Sequence, residues 1–569
     1  MTRKRRFGLS LTLVALAISI SVAAVASAAN RTHSLRRAHD QGQPSAEAST
    51  RTPIKHLVVI FQENVSFDHY FGTYPHATNP PGEPSFSPAA DTPTVNGLSG
   101  PLLTDNPNSA NPQRLDRSQA LTCDQGHGYT AEQLAFDKGA MDKFVQNTNN
   151  EKCSAPDQTA PNLVMDYYDG NTVTGLWNYA QHFAMSDNSY SDNFGPSTPG
   201  AINVTAGNTY GALCGPPSSV HNGVPCTAPP GSASATPGSP QPQGTGTVIG
   251  DPDPNYDICS ATEDHRGAAS TMQMGGQNIG DLLDRAGLSW GWFQGGFASP
   301  DYVSGQPGSD NLSAVCTGQH RNIGKAIQTD YNPHHEPFQY YASTANPRHL
   351  PPTSVGMIGR QDQANHQYDL KDFWAAADAG NLPSVSYLKA ANYQDGHAGY
   401  SDPIDEQHFL VDTINHLEHL SSWKSTAVVI AYDDSDGWYD HQMGPIITQS
   451  QTPLDALTGT GACGNGAPPS GQQARCGYGP RQPLLVISPY SRSNFVDNTT
   501  TAQSSVVKFI EDNWLAGQRI GNGSNDAATG TLENMFNFQE QGNRRLFLDP
   551  STGQPTDSGN GSMQPRTRR

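Results

Sequence analysis

The sequence predicts an α/β protein built on a mostly parallel sheet. Three observations predict it. Short apolar runs, each long enough for one buried strand, recur through residues 54–516. Segments with helical spacing alternate with them, as parallel sheets require for their crossovers. Long stretches rich in Gly, Pro and Ser interrupt this alternation and read as loop insertions.

In chain order, IKHLVVIF (54–61) is a buried parallel strand. Residues 77–118 form a long surface loop, and TAEQLAFDKGAMDKFVQ (130–146) is a helix with Leu134, Met141, Phe144 and Val145 near one face. TGLWNYAQHFA (174–184) is a second helix, and residues 214–250 are a low-complexity excursion. NIGDLLDRAG (278–287) is helical and leads into the strand-like LSWGWFQGG; LPSVSYLKA (382–390) is another strand. DEQHFLVDTINHLEHL (405–420) is an amphipathic helix with Phe409, Leu410, Ile414 and Leu417 inward. TAVVIAYDD (426–434) is a strand ending in two carboxylates, and a Gly-rich loop fills 452–479. PLLVISPYS (483–491) is a strand and SSVVKFIEDNWL (504–515) a helix. The expected organisation is a signal peptide over 1–28, a disordered leader over 29–52, one catalytic domain over 53–548 and a disordered tail over 549–569.

Composition narrows the function. The 569 residues include 56 Gly and 44 Pro, only 15% are charged, and the formal net charge is −19. That charge argues against coating nucleic acid or adhering steadily to an anionic membrane. Arg3, Lys4, Arg5 and Arg6, an apolar run and Ala26-Ser27-Ala28 read as a cleavable export signal, by the general or the twin-arginine route. A secreted or periplasmic location follows as an expectation, without stable membrane insertion after cleavage. Eight cysteines without a CxxC pair then favour disulfides over metal. Sequence order pairs them 123–153, 214–226, 259–316 and 463–476.

In open α/β sheets, ligands bind beyond the carboxyl ends of strands. Glu63 and Asn64 stand after the first strand; Asp433 and Asp434 stand after TAVVIAY. Their hard oxygens suit one divalent cation, Ca, Mg, Mn or Zn. Each pair alone fits helix capping or a turn better; two such pairs at comparable positions make the cation an equal reading. Ser197 and Thr198 precede Pro199, which places a hydroxyl in a helix's first turn, where a phosphate or a simple cap would sit. His127, His334, His335 and His397 lie in loops and suit acid–base work or solvent exposure; His69 and His441 suit orienting neighbours. No P-loop, HExxH, GxSxG or strand-following GxGxxG is present.

Taken together, IKHLVVIFQENVSFDHYFGTYP, GHGYTAEQLAFDKGAMDKFV, DNFGPSTPGAIN, DYNPHHEPFQYY, YQDGHAGYSDPIDEQ, AYDDSDGWYDH and PLLVISPYSRSNFVDNTT resemble the bacterial phospholipase C / acid phosphatase family, a branch of the alkaline-phosphatase-like superfamily. The resemblance implies an alkaline-phosphatase-like core, a three-layer α/β/α sandwich, and a phosphoserine intermediate. It assigns Ser197 as nucleophile, with Thr198 as rival, and Glu63, Asn64, Asp433 and Asp434 as metal ligands. It places His127, His334, His335 and His397 around the phosphate. The stretch Pro199-Gly200-Ala201 lacks the Asn-Arg pair typical of choline-phospholipid-specific members. A phosphomonoesterase of acid phosphatase type is therefore the first expectation. A phospholipase C acting at a phospholipid head group is the second, and a non-catalytic binding protein on the same scaffold is the third. The expected partners are small phosphate esters or lipid head groups, not nucleic acid.

Overall fold

The computed structural model describes residues 49–149, 161–214, 226–227, 246–261, 271–298, 316–451, 454–457, 463, 475–539 and 543–557. The central sheet has eight strands: β1 (His56–Gln62), β2 (Ala184–Ser186), β3 (Trp290–Gln294), β4 (Gln367–Asp369), β5 (Val385–Lys389), β6 (Thr426–Tyr432), β7 (Leu484–Ile487) and β8 (Phe495–Asp497). Their order is β4-β3-β5-β1-β6-β7-β2-β8. The first five run parallel, β7 is antiparallel to both neighbours, and β2 and β8 are again parallel.

Period-two alternation sorts β1 between two layers. Val58 and Ile60 join the core formed with α3 (Thr174–His182), α6 (Leu370–Asp378) and α7 (Pro403–His419). The opposite face carries α4 (Ser197–Ala206), α5 (Ile279–Ala286) and α8 (Ser504–Trp514). There Tyr387 of β5 donates to the Val204 carbonyl at 3.3 Å, and Trp290 of β3 lies against Gly280. Residues Leu57–Phe61 of β1 are completely buried, as a run without polar alternation requires. Two further helices are α1 (Phe67–Phe71) and α2 (Tyr129–Phe136). Among the described residues no helix is long and apolar enough to cross a membrane.

The inward face of α7 is as expected, with Phe409, Leu410, Ile414 and Leu417 buried. Four expectations change. The helix expected over 130–146 stops at Phe136, because Asp137, Lys138, Gly139 and Met141 adopt positive φ. Leu134 is 44% exposed, while Met141 and Phe144 are buried beyond the break. The 77–118 loop is anchored, with Phe86 edge-on to Trp177 at 5.1 Å. The 214–250 excursion leaves from and returns to a second, five-stranded sheet formed by Tyr210–Cys214, Cys226–Thr227, Gly246–Val248, Asp253–Pro254 and Thr271–Met274. Lastly, the chain beyond 549 is not wholly a free tail. Pro550 and Gly553 carbonyls accept from Gln407 at 3.0 Å and Asn178 at 2.7 Å, fixing 549–557 on α7 and α3. At the other end, Arg51 and Thr52 of the expected leader already bond to Asn513.

The 259–316 and 463–476 disulfides are present. Cys123 is disulfide-bonded, but Cys153 and the side chains of Cys214 and Cys226 lie outside the described residues. So do the expected signal peptide and the last twelve residues, 558–569.

Candidate active site

Register builds the site. β1 and β6 pair in parallel from His56↔Thr426 to Gln62↔Tyr432, so both strands end level. The Asp433 amide continues the ladder to the Gln62 carbonyl at 3.1 Å, and the Val65 amide reaches the Asp434 carbonyl at 2.9 Å. Glu63-Asn64 and Asp433-Asp434 are therefore forced side by side, all buried. Asn64 has φ +53, a left-handed conformation that Asn tolerates better than most residues.

The α4 helix starts at Ser197, as the Ser-Thr-Pro sequence predicts. It packs so closely on β6 that a Cβ at Gly200 would lie 2.0 Å from the Asp433 carbonyl oxygen. Only glycine permits that approach. It sets the Ser197 hydroxyl 3.0 Å from Asp434 Oδ2, 3.2 Å from Glu63 Oε2 and 3.4 Å from Asn64 Oδ1. Thr198 turns elsewhere: its amide donates to Asp251 at 3.0 Å and its hydroxyl lies 3.4 Å from the Tyr340 hydroxyl.

Asn64 tests whether a cation fits. One end of its amide lies 2.8 Å from Glu63 Oε2, 3.0 Å from Asp433 Oδ1 and 3.2 Å from Asp434 Oδ2; the other lies 2.9 Å from His397 Nε2. His397 Nδ1 sits 2.5 Å from the Ala398 carbonyl and must donate to it. Burial lowers the His397 pKa to about 4, so the ring is neutral and Nε2 is an acceptor. The Asn64 NH₂ then belongs toward His397, which turns its oxygen on three carboxylates. An amide oxygen turned on three carboxylates calls for a proton or a cation among them, and an all-oxygen set suits a hard divalent ion. The electrostatics agree. Burial and the neighbouring Asp433 hold Glu63 and Asp434 well above the ordinary carboxylate range.

The histidines divide. His335 Nδ1 lies 3.2 Å from Glu63 Oε1, and Asn332 Nδ2 contacts its Nε2 at 3.0 Å. His127 Nδ1 lies 3.0 Å from Asp436 Oδ1. Burial opposes charge on His127, but Asp434, Asp436 and Asp124 outweigh it and hold its pKa well above the usual value. The rings of His127 and His397 stand 6.1 Å apart. His334 is set back, its Nδ1 3.6 Å from Asp253 and its ring edge-on to His335. His69 and His441 orient neighbours as expected: His69 stacks on Trp438 and reaches the Asp166 carbonyl, while His441 pairs with Asp68.

Sequence reasoning missed four residues. Buried Lys389 ends β5 in an ion pair with Glu63 Oε1. Burial opposes its charge, yet Glu63, Asp433 and Asp395 raise its pKa. Asp395 is pushed to about 8 by burial. Asp436 orders His127, and Glu132 accepts from the Gly195 amide and the Ser435 hydroxyl, both at 2.9 Å, tying the serine loop to the loop after β6. One signal was available: a lysine closing the apolar strand VSYLK has no reason to be buried without a partner.

Acidic strand ends thus gather around a hydroxyl at a helix start. The comparisons give the class. The Phosphoesterase family model matches residues 54–516, and the chain belongs to that family. It is 25% identical over 475 residues, 80% of this chain, to a non-hemolytic phospholipase C of Burkholderia pseudomallei, and spans 55% of that protein. It is 23% identical to phospholipase C A of Mycobacterium tuberculosis over 86% of this chain and 78% of that one. The hemolytic phospholipase C of Pseudomonas aeruginosa is 22% identical over 89% of this chain and 59% of its own. A solved protein of the alkaline phosphatase superfamily from Vibrio parahaemolyticus aligns over 87% of this chain and 76% of that chain, at 10% identity and a TM-score of 0.28, too distant to carry an argument.

Proposed function

We propose that the protein is a phospholipase C-type hydrolase that forms a phosphoserine intermediate at Ser197. The observation that carries the mechanism is the Ser197 hydroxyl within 3.4 Å of Glu63, Asn64 and Asp434. The phospholipase C names of the relatives favour a lipid phosphodiester. A second reading, a phosphomonoesterase, is favoured by Pro199-Gly200-Ala201, where the Gly200 contact with Asp433 excludes the larger Asn of choline-specific members.

A divalent cation held by Glu63, Asn64, Asp433 and Asp434 would activate the hydroxyl and polarise the phosphoryl oxygens. Ser197 Oγ attacks phosphorus, its bond to the alcohol oxygen breaks, and the alcohol leaves with a proton. His127, held cationic by its carboxylates, neutralises charge on the phosphoryl oxygens, and His335 and His397 flank the reacting centre. His334 supports His335 from behind. Water then attacks the phosphoserine, releasing the phosphorylated head group, or phosphate from a monoester, and restoring the serine. Two displacements give retention at phosphorus.

The test compares p-nitrophenyl phosphorylcholine with p-nitrophenyl phosphate in wild type, Ser197→Ala and Thr198→Ala. Phosphodiester turnover lost by at least about 10³-fold in Ser197→Ala, and retained in Thr198→Ala, supports the first reading. Turnover of the monoester alone would replace it with the second. Full activity in Ser197→Ala would refute the nucleophile.

A further inference from the structure

We propose that the hairpin at residues 316–330 docks the enzyme on a zwitterionic phospholipid surface, seating lipid head groups at the rim of the active site. The lipid as substrate rests on the phospholipase C reading; the docking itself does not.

The hairpin pairs Gln319–Arg321 with Ile327–Thr329 in antiparallel register. Four large hydrophobic residues are exposed among the described residues, and two of them, Ile323 at 44% and Ile327 at 55%, lie on this one hairpin. Isolated exposed apolar residues need no explanation, but a pair at the tip and side of one projecting turn does. Arg321 and Lys325 are exposed beside them, and residues 316–329 contain no acid, in a chain of net charge −19. The nearest carboxylates are already engaged. Asp330 is buried and pairs with His320 at 2.7 Å, and Asp405 accepts from the Ile323 amide at 2.9 Å. Apolar side chains flanked by bases match the layering of a phospholipid surface, with acyl chains below the phosphates. The negative remainder of the chain disfavours an anionic bilayer, so a zwitterionic surface is the occupant.

Position ties the hairpin to the site. Gly324 lies against Leu121, on the loop that leads to Asp124 and His127. Asn322 donates to the Tyr400 carbonyl at 3.0 Å, and the Tyr400 ring stacks on His397 at 4.3 Å. His320 stacks on Tyr393, two residues before Asp395. The hairpin therefore wedges between the two loops that carry His127 and His397. A lipid held at its tip would therefore lie next to the loops that bear these histidines.

The experiment measures co-sedimentation with phosphatidylcholine vesicles, and hydrolysis of those vesicles beside monomeric dibutyrylphosphatidylcholine. The variants are Ile323→Ser/Ile327→Ser and Arg321→Gln/Lys325→Gln, with circular dichroism and thermal melting as fold controls. The serine pair is expected to weaken sedimentation by roughly tenfold or more and to slow vesicle hydrolysis equally, leaving the monomeric lipid unchanged. The glutamine pair is expected to weaken sedimentation severalfold. Sedimentation does not require turnover, so a wild type that binds vesicles but cleaves no phosphodiester would refute the function and keep the docking. Wild type that fails to sediment, or variants that sediment equally well, would overturn the docking. Equal loss on monomeric and vesicular lipid would also overturn it, making the hairpin a prop for the His397 loop.

Discussion

Gly200→Ala tests how the nucleophile is aimed. The added Cβ would lie 2.0 Å from the Asp433 carbonyl oxygen, 2.6 Å from its carbon and 2.8 Å from its Cα. All three are backbone atoms at the end of a central strand, so they cannot swing aside. Reaching an ordinary 3.4 Å contact requires α4 to retreat by well over an ångström. Ser197 rides on the same helix, three residues earlier, and its 3.0 Å contact with Asp434 would open by a similar amount. A misplacement of about 1 Å costs on the order of 10²-fold in rate. Overpacking costs about 1–3 kcal/mol of stability. The assay is kcat/KM on the preferred p-nitrophenyl ester, with a urea unfolding curve on the same preparation. A fold that survives while turnover falls by roughly 10²-fold is the expected result. Unchanged kcat/KM would refute the reasoning that this contact aims Ser197.

Three further outcomes are expected. Chelation should abolish turnover and lower the melting temperature, since Glu63, Asn64, Asp433 and Asp434 would be left facing one another; re-addition at about 100 times Kd should restore about 2.7 kcal/mol, and a melting curve indifferent to chelator and metal would refute the cation site. Lys389→Met should cost about 3–5 kcal/mol in cation-free protein by removing the ammonium paired with Glu63 in the interior; a urea unfolding curve that matches wild type would show that Lys389 does not hold Glu63. Glu418 is raised to about 8 by burial, which outweighs the Leu546 amide and Arg545 that favour its charged form, so the folded state holds its proton more tightly than the unfolded chain. Its contribution is full below the ordinary glutamate pKa and is lost as pH rises toward 8. Glu418→Gln should therefore gain on wild type by more than about 1 kcal/mol in urea unfolding between pH 5 and pH 8; parallel pH profiles would show that Glu418 is not the group responsible.

The parts legible in the sequence were those that a repeating pattern or a strand end announces. β1 and β6 are buried on both faces, so they read as unbroken apolar runs, and the acids that follow must stand at their carboxyl ends. Ser197 was legible because Pro199 marks a helix start. Leu134 was misread because a helical period cannot show that the helix ends two residues later at Phe136, capped by a left-handed Asp137. Lys389, Glu132 and Asp436 were missed for another reason. Each is a single buried charge whose partner lies far away in sequence, as Lys389 and Glu63 do at a separation of 326 residues. No window along the chain contains such a pair. The second sheet was hidden because its strands are two to five residues long and lie among Gly, Pro and Ser.

The meeting of Glu63-Asn64 with Asp433-Asp434 also governs when activity can appear during synthesis. The Asn64 amide bonds Asp433 across 369 positions. A ribosome that has made three quarters of the chain has delivered Ser197, Glu63 and Asn64 but neither Asp433 nor Asp434, so the proposed centre is still incomplete. Catalytic competence arrives in one step, when β6 slots beside β1 and closes the longest loop of the central sheet. Turnover measured during refolding is thus a timer for that single event, lagging behind signals from the local helices.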